Sequence, residues 1–156
     1  MKITYGSDIH LEFGDLSLTN KKFKEKAQQS NVLVLAGDIT TYNNVHVDFF
    51  ETVCSIYPHV VYIMGNHEHY NGDFARTENK IRELTKDIPN FHFLEKQSVV
   101  IDDHVFIGGT LWTDYAKNDP VVMYDIMGIM NDYRVITNDG SRFTAEDAYK
   151  DHYQMI

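Results

Sequence analysis

The sequence has little cysteine, proline or basic charge, and it has no long apolar run. Its single cysteine, Cys54, cannot form an intrachain disulfide, and its apolar neighbours favour a small buried side chain over a nucleophile. No apolar run approaches the roughly 20 residues of a membrane-spanning helix. The first residues are too polar for a signal peptide. We therefore expect a cytoplasmic protein without a membrane partner.

The shortage of basic residues also limits the partners of the chain. There are 14 Lys and Arg residues against 23 Asp and Glu residues, which gives a net charge of -9. Because non-specific nucleic-acid binding depends on Lys and Arg, nucleic acid is not favoured as a partner. A phosphate-bearing substrate is still compatible with this charge, since bound cations supply positive charge locally.

Length and composition predict one globular domain. The chain has 156 residues, of which 43% are hydrophobic, and this is enough to bury a core. The three prolines do not mark a linker, and no segment is repeated. We therefore treat residues 1–156 as a single domain.

Short apolar strands alternate with helices in the first half of the chain. The predicted strands are Lys2–Ser7, Val32–Ala36 and His59–Met64. The predicted helices are Asn20–Gln29, Val45–Tyr57 and Asp73–Asp87. This order predicts a parallel sheet with right-handed crossover connections.

The second half of the chain has a different pattern. Ser98–Ile101 and His104–Ile107 flank two aspartates and are typical of a β-hairpin. The segment Pro120–Asp132 is ambiguous. Thr144–Asp147 resembles a capping box, with Asp in place of the usual Glu or Gln, and it predicts a last helix that runs to Ile156.

Three polar motifs follow the three predicted strands. They are Asp8-Ile9-His10, Gly37-Asp38 and the Gly-Asn-His-Glu sequence of residues 65–68. Because the carboxyl ends of parallel strands meet at one edge of a sheet, we expect these motifs to converge. Carboxylate, imidazole and amide groups are ligands of divalent cations. The motifs therefore predict a metal site.

Each motif suggests a role for its polar residues in such a site. Asp8 and His10 are two residues apart, so in an extended strand they point the same way and reach one metal. Asp38 has two oxygens and is placed to bridge two metals, and Asn66 offers its amide oxygen to the second. Each motif alone also fits an ordinary turn or surface pair, but three of them at successive strand ends favour the metal site.

The three motifs resemble the first three motifs of the calcineurin-like metallophosphoesterase family. Residues 109–114 and 131–136 are similar to a bacterial and phage-type branch of that family. The resemblance implies an α/β fold with four layers, α/β/β/α, in which two sheets pack face to face. It also implies a dinuclear centre of Mn, Fe or Zn, with Asp8 and His10 on the first metal, Asp38 between the metals and Asn66 on the second.

The same resemblance implies a reaction. Two adjacent cations would generate a hydroxide that attacks the phosphorus of a phosphate ester. His67 would act as the catalytic acid on the leaving oxygen. We interpret Glu68 either as a group that stands behind the metal ligands, for example one that orients His67, or as a solvated charge.

The chain departs from the family pattern in its second half. The family has a later lone histidine and a Gly-His-x-His motif, and this chain has no Gly-His dipeptide. The other histidines are poor substitutes by position; they are His46, His59, His69, His92, His104 and His152. His69 could face the cleft, but its position favours a polar loop residue. We therefore expect a weak second metal site and a domain that lacks its C-terminal strands, with part of the core uncovered.

Three explanations of this departure remain open. The chain is a piece of a longer enzyme, a naturally shortened protein without activity, or a protein whose site is completed by another chain. The first is favoured, because the motifs that are present keep their ligands.

Three functions therefore compete. The leading hypothesis is a metal-dependent phosphatase or phosphodiesterase that acts on a small molecule or a phosphoprotein. The alternatives are a non-catalytic binding or regulatory module on the same fold, and a nuclease. The acidic composition argues against the nuclease.

Overall fold

Four parallel strands form the central sheet. The computed structural model describes residues 1–14, 25 and 29–155. Its sheet contains β1 (Ile3–Gly6), β2 (Val32–Ala36), β3 (His59–Ile63) and β4 (Phe91–Phe93), side by side in chain order. The three predicted strands are confirmed. The fourth strand was not predicted, because a run of three residues is too short to show periodicity.

The helices of the first half cover one face of this sheet. They are α1 (Val47–Ile56) and α2 (Phe74–Thr85), and both were predicted. The predicted helix Asn20–Gln29 lies outside the described residues, apart from positions 25 and 29.

Alternate residues of β2 and β3 enter two different cores. The side chains that join the helix-side core are Leu33, Leu35, Val60 and Tyr62. The side chains that join the opposite core are Val32, Val34, Val61 and Ile63. Burial on both faces explains why these strands are continuous apolar runs in the sequence.

An antiparallel hairpin packs on the second face of the sheet. It consists of β5 (Gln97–Ile101) and β6 (His104–Gly108), as predicted, and Asp102 turns the chain with φ 51°. Its inward residues, Val99, Ile101 and Phe106, join the core of β2 and β3. Its outward residues remain solvent-exposed in the described part of the chain: Val100 at 66%, Val105 at 63% and Ile107 at 75%.

The remaining residues form a second cluster beside the sheet. It contains α3 (Pro120–Ile129), a small hairpin of β7 (Thr137–Asn138) and β8 (Ser141–Arg142), and α4 (Ala145–Met155). The ambiguous segment is thus a helix that begins at a proline, with Asp119 accepting hydrogen bonds from the Val121 and Val122 N–H groups.

The predicted capping box opens α4. The Thr144 backbone N–H donates to Asp147 Oδ2 at 2.9 Å, and the Asp147 N–H donates to Thr144 Oγ1 at 3.2 Å. Both bonds of the motif form, so Asp replaces Glu at this position without loss of the reciprocal pattern. Lys96 donates to Asp151 Oδ1 at 2.6 Å and ties this helix to the segment before β5.

The α/β fold class predicted from the sequence is confirmed, with a helix layer, a parallel sheet and an antiparallel hairpin in succession. None of the described helices combines the length and the apolar character needed to cross a membrane.

One histidine belongs to the core rather than to the surface. His69 follows the Gly-Asn-His-Glu motif, where the sequence favoured a polar loop residue. Its side chain is 2% exposed and contacts Phe74, with ring centroids 4.8 Å apart, and Trp112 at 6.0 Å. Among the described residues, neither ring nitrogen has a hydrogen-bond partner. Burial lowers the pKa of His69 from 6.5 to about 3.

The depressed pKa of His69 predicts acid sensitivity. The unfolded chain takes up a proton near pH 6.5, whereas the folded chain does so only near pH 3. Stability is therefore complete above the unfolded pKa and falls as the pH drops, by about 1.4 kcal/mol per pH unit. Between about pH 7 and about pH 5 we expect the free energy of unfolding of His69→Leu to fall by about 2 kcal/mol less than that of the wild type.

Urea unfolding of the metal-free protein at several pH values measures this difference. The matched control is His104→Gln, since His104 is exposed on β6 and should leave the pH dependence unchanged. Parallel pH profiles for His69→Leu and the wild type would contradict the assignment.

Candidate metal centre

The loops after β1 and β2 bring three predicted metal ligands together. One ligand atom from each of Asp8, His10 and Asp38 lies within 4.8 Å of the others. Backbone hydrogen bonds align the two loops, with Asp8 N–H donating to Gly37 O at 3.1 Å and His10 N–H donating to Asp38 O at 3.0 Å. The convergence expected at the carboxyl edge of the sheet is therefore present for these three residues.

These residues converge through a left-handed backbone rather than through an extended one. The φ angles are 55° at Asp8, 50° at His10 and 56° at Asp38. The strand β1 already ends at Gly6. The expectation that an extended strand brings Asp8 and His10 to one side is therefore wrong, although the two side chains do converge. Positive φ is uncommon outside glycine, although Asp and His adopt it more readily than most residues.

Two glycines allow the loops after β2 and β3 to approach each other closely. Gly37 has φ +83°, and a Cβ added there would lie 2.8 Å from Gly65 N. A Cβ added at Gly65 would overlap Asp38 Oδ1 and lie 2.9 Å from Asp38 N. A side chain at either position would thus displace Asp38 from its place beside the loop after β3.

Substitution of Gly65 tests this approach. Gly65→Ala should move the Asp38 carboxylate, lower the affinity for Mn²⁺ by at least about 10-fold and destabilise the fold by about 1–3 kcal/mol. Titration calorimetry and urea unfolding measure the two effects.

The control is Gly128→Ala in α3, because a Cβ there meets no atom within 4 Å. It should leave Mn²⁺ affinity unchanged. Wild-type affinity in Gly65→Ala would show that Asp38 is not constrained by this glycine.

The carboxylate of Glu68 joins the loop after β2 to the loop after β3. Its Oε2 accepts hydrogen bonds from Asp38 N at 3.0 Å and Gly65 N at 2.7 Å, and its Oε1 accepts from Ile39 N at 2.8 Å. Tyr62 Oη also donates to Oε1 at 2.8 Å. Glu68 is fully buried. The carboxylate is therefore not a solvated charge. It stands behind a proposed ligand, as the other interpretation expected, but it contacts the backbone of the Asp38 loop rather than His67.

Burial shifts the titration of this group. It raises the pKa of Glu68, and the backbone donors Ile39 and Gly65 oppose that shift without cancelling it. With backbone and hydroxyl donors on both oxygens, the arrangement suits the ionised carboxylate.

The buried position of Glu68 predicts a large effect of a small substitution. In Glu68→Gln, one carboxylate oxygen becomes an NH₂ group that faces N–H donors, so the free energy of unfolding should fall by about 2 kcal/mol or more. Urea unfolding of the metal-free protein measures the change.

Glu51→Gln is the matched control, since Glu51 is exposed on α1 and its substitution should stay within about 0.5 kcal/mol of the wild type. An equally small effect at Glu68 would show that the two loops are held in another way.

His67 lies next to His10 and shares a carboxylate with it. Glu12 Oε1 is 3.3 Å from His10 Nδ1 and 3.4 Å from His67 Nδ1. The two imidazole rings meet edge to face with centroids 4.4 Å apart, and the His67 ring stacks on Tyr70 at 4.1 Å. The ring of His67 is therefore fixed from three sides.

Glu12 was not singled out from the sequence, although it continues the alternation of Asp8 and His10. Burial alone would raise the pKa of Glu12, but hydrogen bonds from its own backbone N–H, His10 and His67 outweigh burial and lower that pKa. Its Oε2 is buried and has no partner among the described residues. The ligand atoms of His10, Glu12 and His67 also lie within 4.8 Å of one another.

Asn66 begins the loop after β3 and is held by a distant residue. Its Nδ2 donates to Asp132 Oδ1 at 2.8 Å and reaches Tyr70 Oη at 3.4 Å. Asp132 is 2% exposed and lies in a short helical turn, Asp132–Val135. The sequence marked residues 131–136 by resemblance but did not predict this contact.

The other histidines do not join the centre in the described part of the chain. His10 and His67 are the only histidines in the two clusters of candidate ligands. The histidines outside them are His46, His59, His69, His92, His104 and His152.

The donor set fits a divalent transition metal. Asp8, His10 and Asp38 offer two carboxylates and one imidazole at mutual distances that a single ion can span. Glu12 Oε1 lies 3.3 Å from His10 Nδ1, so a carboxylate orients this imidazole.

Comparison with known proteins connects the chain with one family. The sequence model described as calcineurin-like phosphoesterase matches residues 1–154. The uncharacterized protein L509 of Acanthamoeba polyphaga mimivirus is 29% identical over an alignment of 173 positions, which covers 99% of this chain and 60% of that protein.

A solved structure shows the same fold. The crystal structure of phosphopantetheinyl hydrolase (PptH) from Mycobacterium tuberculosis matches with a TM-score of 0.65 and 15% identity, over 95% of this chain and 58% of that one. The chain thus spans about 60% of the length of each of these two proteins.

Proposed function

Because the chain belongs to the calcineurin-like phosphoesterase family, we propose that it carries the metal-binding part of a hydrolase that cleaves phosphate esters. The observation that supports this most directly is the convergence of Asp8, His10 and Asp38 within 4.8 Å at the end of a parallel sheet. Such a donor set holds cations, and cations are what an acidic chain needs to receive a phosphate.

The proposed ligands divide between two ions of Mn, Fe or Zn. Asp8 and His10 would hold the first ion, and Asp38 would contribute to both. Asn66 would hold the second ion. In the part of the chain that the structure describes, His10 and His67 are the only histidines in the two clusters, so we propose that the second ion is bound less tightly.

When bound, the ions supply positive charge that activates water and neutralises the phosphate oxygens. His67 supplies the proton for the leaving oxygen. Its Nδ1 faces Glu12, which leaves Nε2 as the nitrogen that is free to donate. Stacking on Tyr70 keeps the ring in that orientation, so the proton is presented in one direction.

A cleft next to the centre suits the organic part of the ester. It has a volume of about 400 Å³, and Asn66 lies on its wall. Most of the wall is apolar, including Ile63, Met64, Leu111, Trp112 and Met130. We therefore propose a substrate that combines a phosphate with an uncharged, largely apolar group. Phosphopantetheinyl groups, named for the structural neighbour, belong in any panel of substrates.

Hydrolysis assays test the proposal. The chelated protein should be inactive, and Mn²⁺ should restore turnover of p-nitrophenyl phosphate or its bis ester, with glycerol phosphate a poorer substrate. Asp38→Asn should lower kcat/KM by at least about 100-fold and reduce the bound metal, since Asp38 is the shared ligand. Metal analysis accompanies each assay.

Asp103→Asn is the control, because Asp103 lies in the exposed turn between β5 and β6. Metal binding without turnover of any ester would favour a non-catalytic module. Unchanged metal content in Asp38→Asn would overturn the ligand set itself.

A further inference from the structure

Asp132 is far from the strand-end motifs in the chain but touches one of their residues. Asn66 Nδ2 donates to Asp132 Oδ1 at 2.8 Å, across 66 residues of sequence. Tyr70 Oη donates to the other oxygen, Oδ2, at 3.3 Å, and it lies 3.4 Å from Asn66 Nδ2. The three side chains thus form a closed triangle beside the proposed metal centre.

The two ends of an asparagine amide have opposite chemistry. The carbonyl oxygen binds cations, whereas the NH₂ group repels them and donates hydrogen bonds. An ionised carboxylate only accepts hydrogen bonds, so the NH₂ group must be the end that faces Asp132. Among the described residues, no donor occupies Asn66 Oδ1, so this oxygen remains available.

Asp132 is itself held in place. It is 2% exposed, and its backbone carbonyl accepts a hydrogen bond from Ile136 N at 3.0 Å. The end of the same turn is bonded to the segment after the Asn66 loop, with Asn71 N–H donating to Val135 O at 3.1 Å. The acceptor and the loop that it orients are therefore parts of one hydrogen-bonded unit.

We propose that Asp132 is a positioning residue that fixes the amide of Asn66 with its carbonyl oxygen toward the second metal. The inference rests on the proposed function, because it takes Asn66 as a metal ligand. It assigns a role to the segment 131–136, whose residues include none of the proposed ligands.

Two variants of Asp132 separate orientation from packing. Asp132→Leu removes the acceptor and should weaken binding of the second Mn²⁺ by about 10- to 100-fold. Asp132→Asn keeps an amide oxygen that accepts the same hydrogen bond, so it should restore affinity to within about 3-fold of the wild type. Titration calorimetry gives affinity and stoichiometry, and thermal unfolding gives stability.

A matched control accounts for general damage to the fold. Asp73 is 9% exposed and accepts hydrogen bonds from Gly140 N and Thr137 Oγ1. Asp73→Leu should therefore lose stability as Asp132→Leu does, but it should keep the affinity for Mn²⁺. Equal losses of affinity in both variants would show that Asp132 acts only through the fold and would overturn the inference.

A measurement on the unaltered protein covers the case in which Asp132→Leu does not fold. In NMR spectra the two side-chain amide protons of Asn66 should exchange slowly, and Mg²⁺ should shift the carbonyl carbon without releasing them. Rapid exchange of these protons, or their loss of protection with metal, would overturn the inference.

The variant Asn66→Ala separates this inference from the proposed function. If it binds Mn²⁺ as the wild type does, Asn66 is not a ligand and the proposed ligand set fails. If it loses the second ion while Asp132→Leu retains it, only the role of Asp132 is wrong.

Discussion

The buried carboxylate of Glu68 is the constraint on which the centre depends. It accepts backbone hydrogen bonds from both loops that follow the central strands β2 and β3, and Asp38 provides one of those donors. A residue that is not among the proposed ligands thus holds Asp38 against the loop of Asn66. Since this carboxylate has no water contact, its hydrogen bonds form in a low dielectric and cannot be exchanged for solvent.

Three acidic side chains stand behind the proposed functional groups. Glu12 contacts His10 and His67, Glu68 contacts the loop of Asp38, and Asp132 contacts Asn66. Each holds its partner in one orientation, as the proposed metal binding and proton donation would require. Some of the acidic residues that make the chain negative therefore stabilise the centre through hydrogen bonds, rather than only charging the protein surface.

The sequence predicted the parts of the fold that are periodic. The apolar strands β2 and β3 and the capping box at Thr144 follow local rules, so the pattern alone located them. The convergence of Asp8, His10 and Asp38 followed from topology, because the ends of adjacent parallel strands meet. What the sequence did not predict depends on contacts between distant residues.

Glu68, His69 and Asp132 illustrate that limit. The sequence favours a polar loop residue at His69 and allows a solvated charge at Glu68, yet both are buried, because the loop folds inward against β2 and the second cluster. Asp132 meets Asn66 across 66 residues, which no local spacing indicates. The left-handed backbone at the ligands was also missed, since it is imposed by the neighbouring loop rather than by residue type.

That left-handed backbone has a consequence for how a cation is received. Conformations of this kind cost about 1 kcal/mol or more per residue, and the chain adopts them at Asp8, His10 and Asp38. The surrounding hydrogen bonds offset this conformational free energy when the protein folds. Because hydrogen bonds of the fold hold these donors together, little further ordering of the chain would oppose the binding of a cation at the proposed centre.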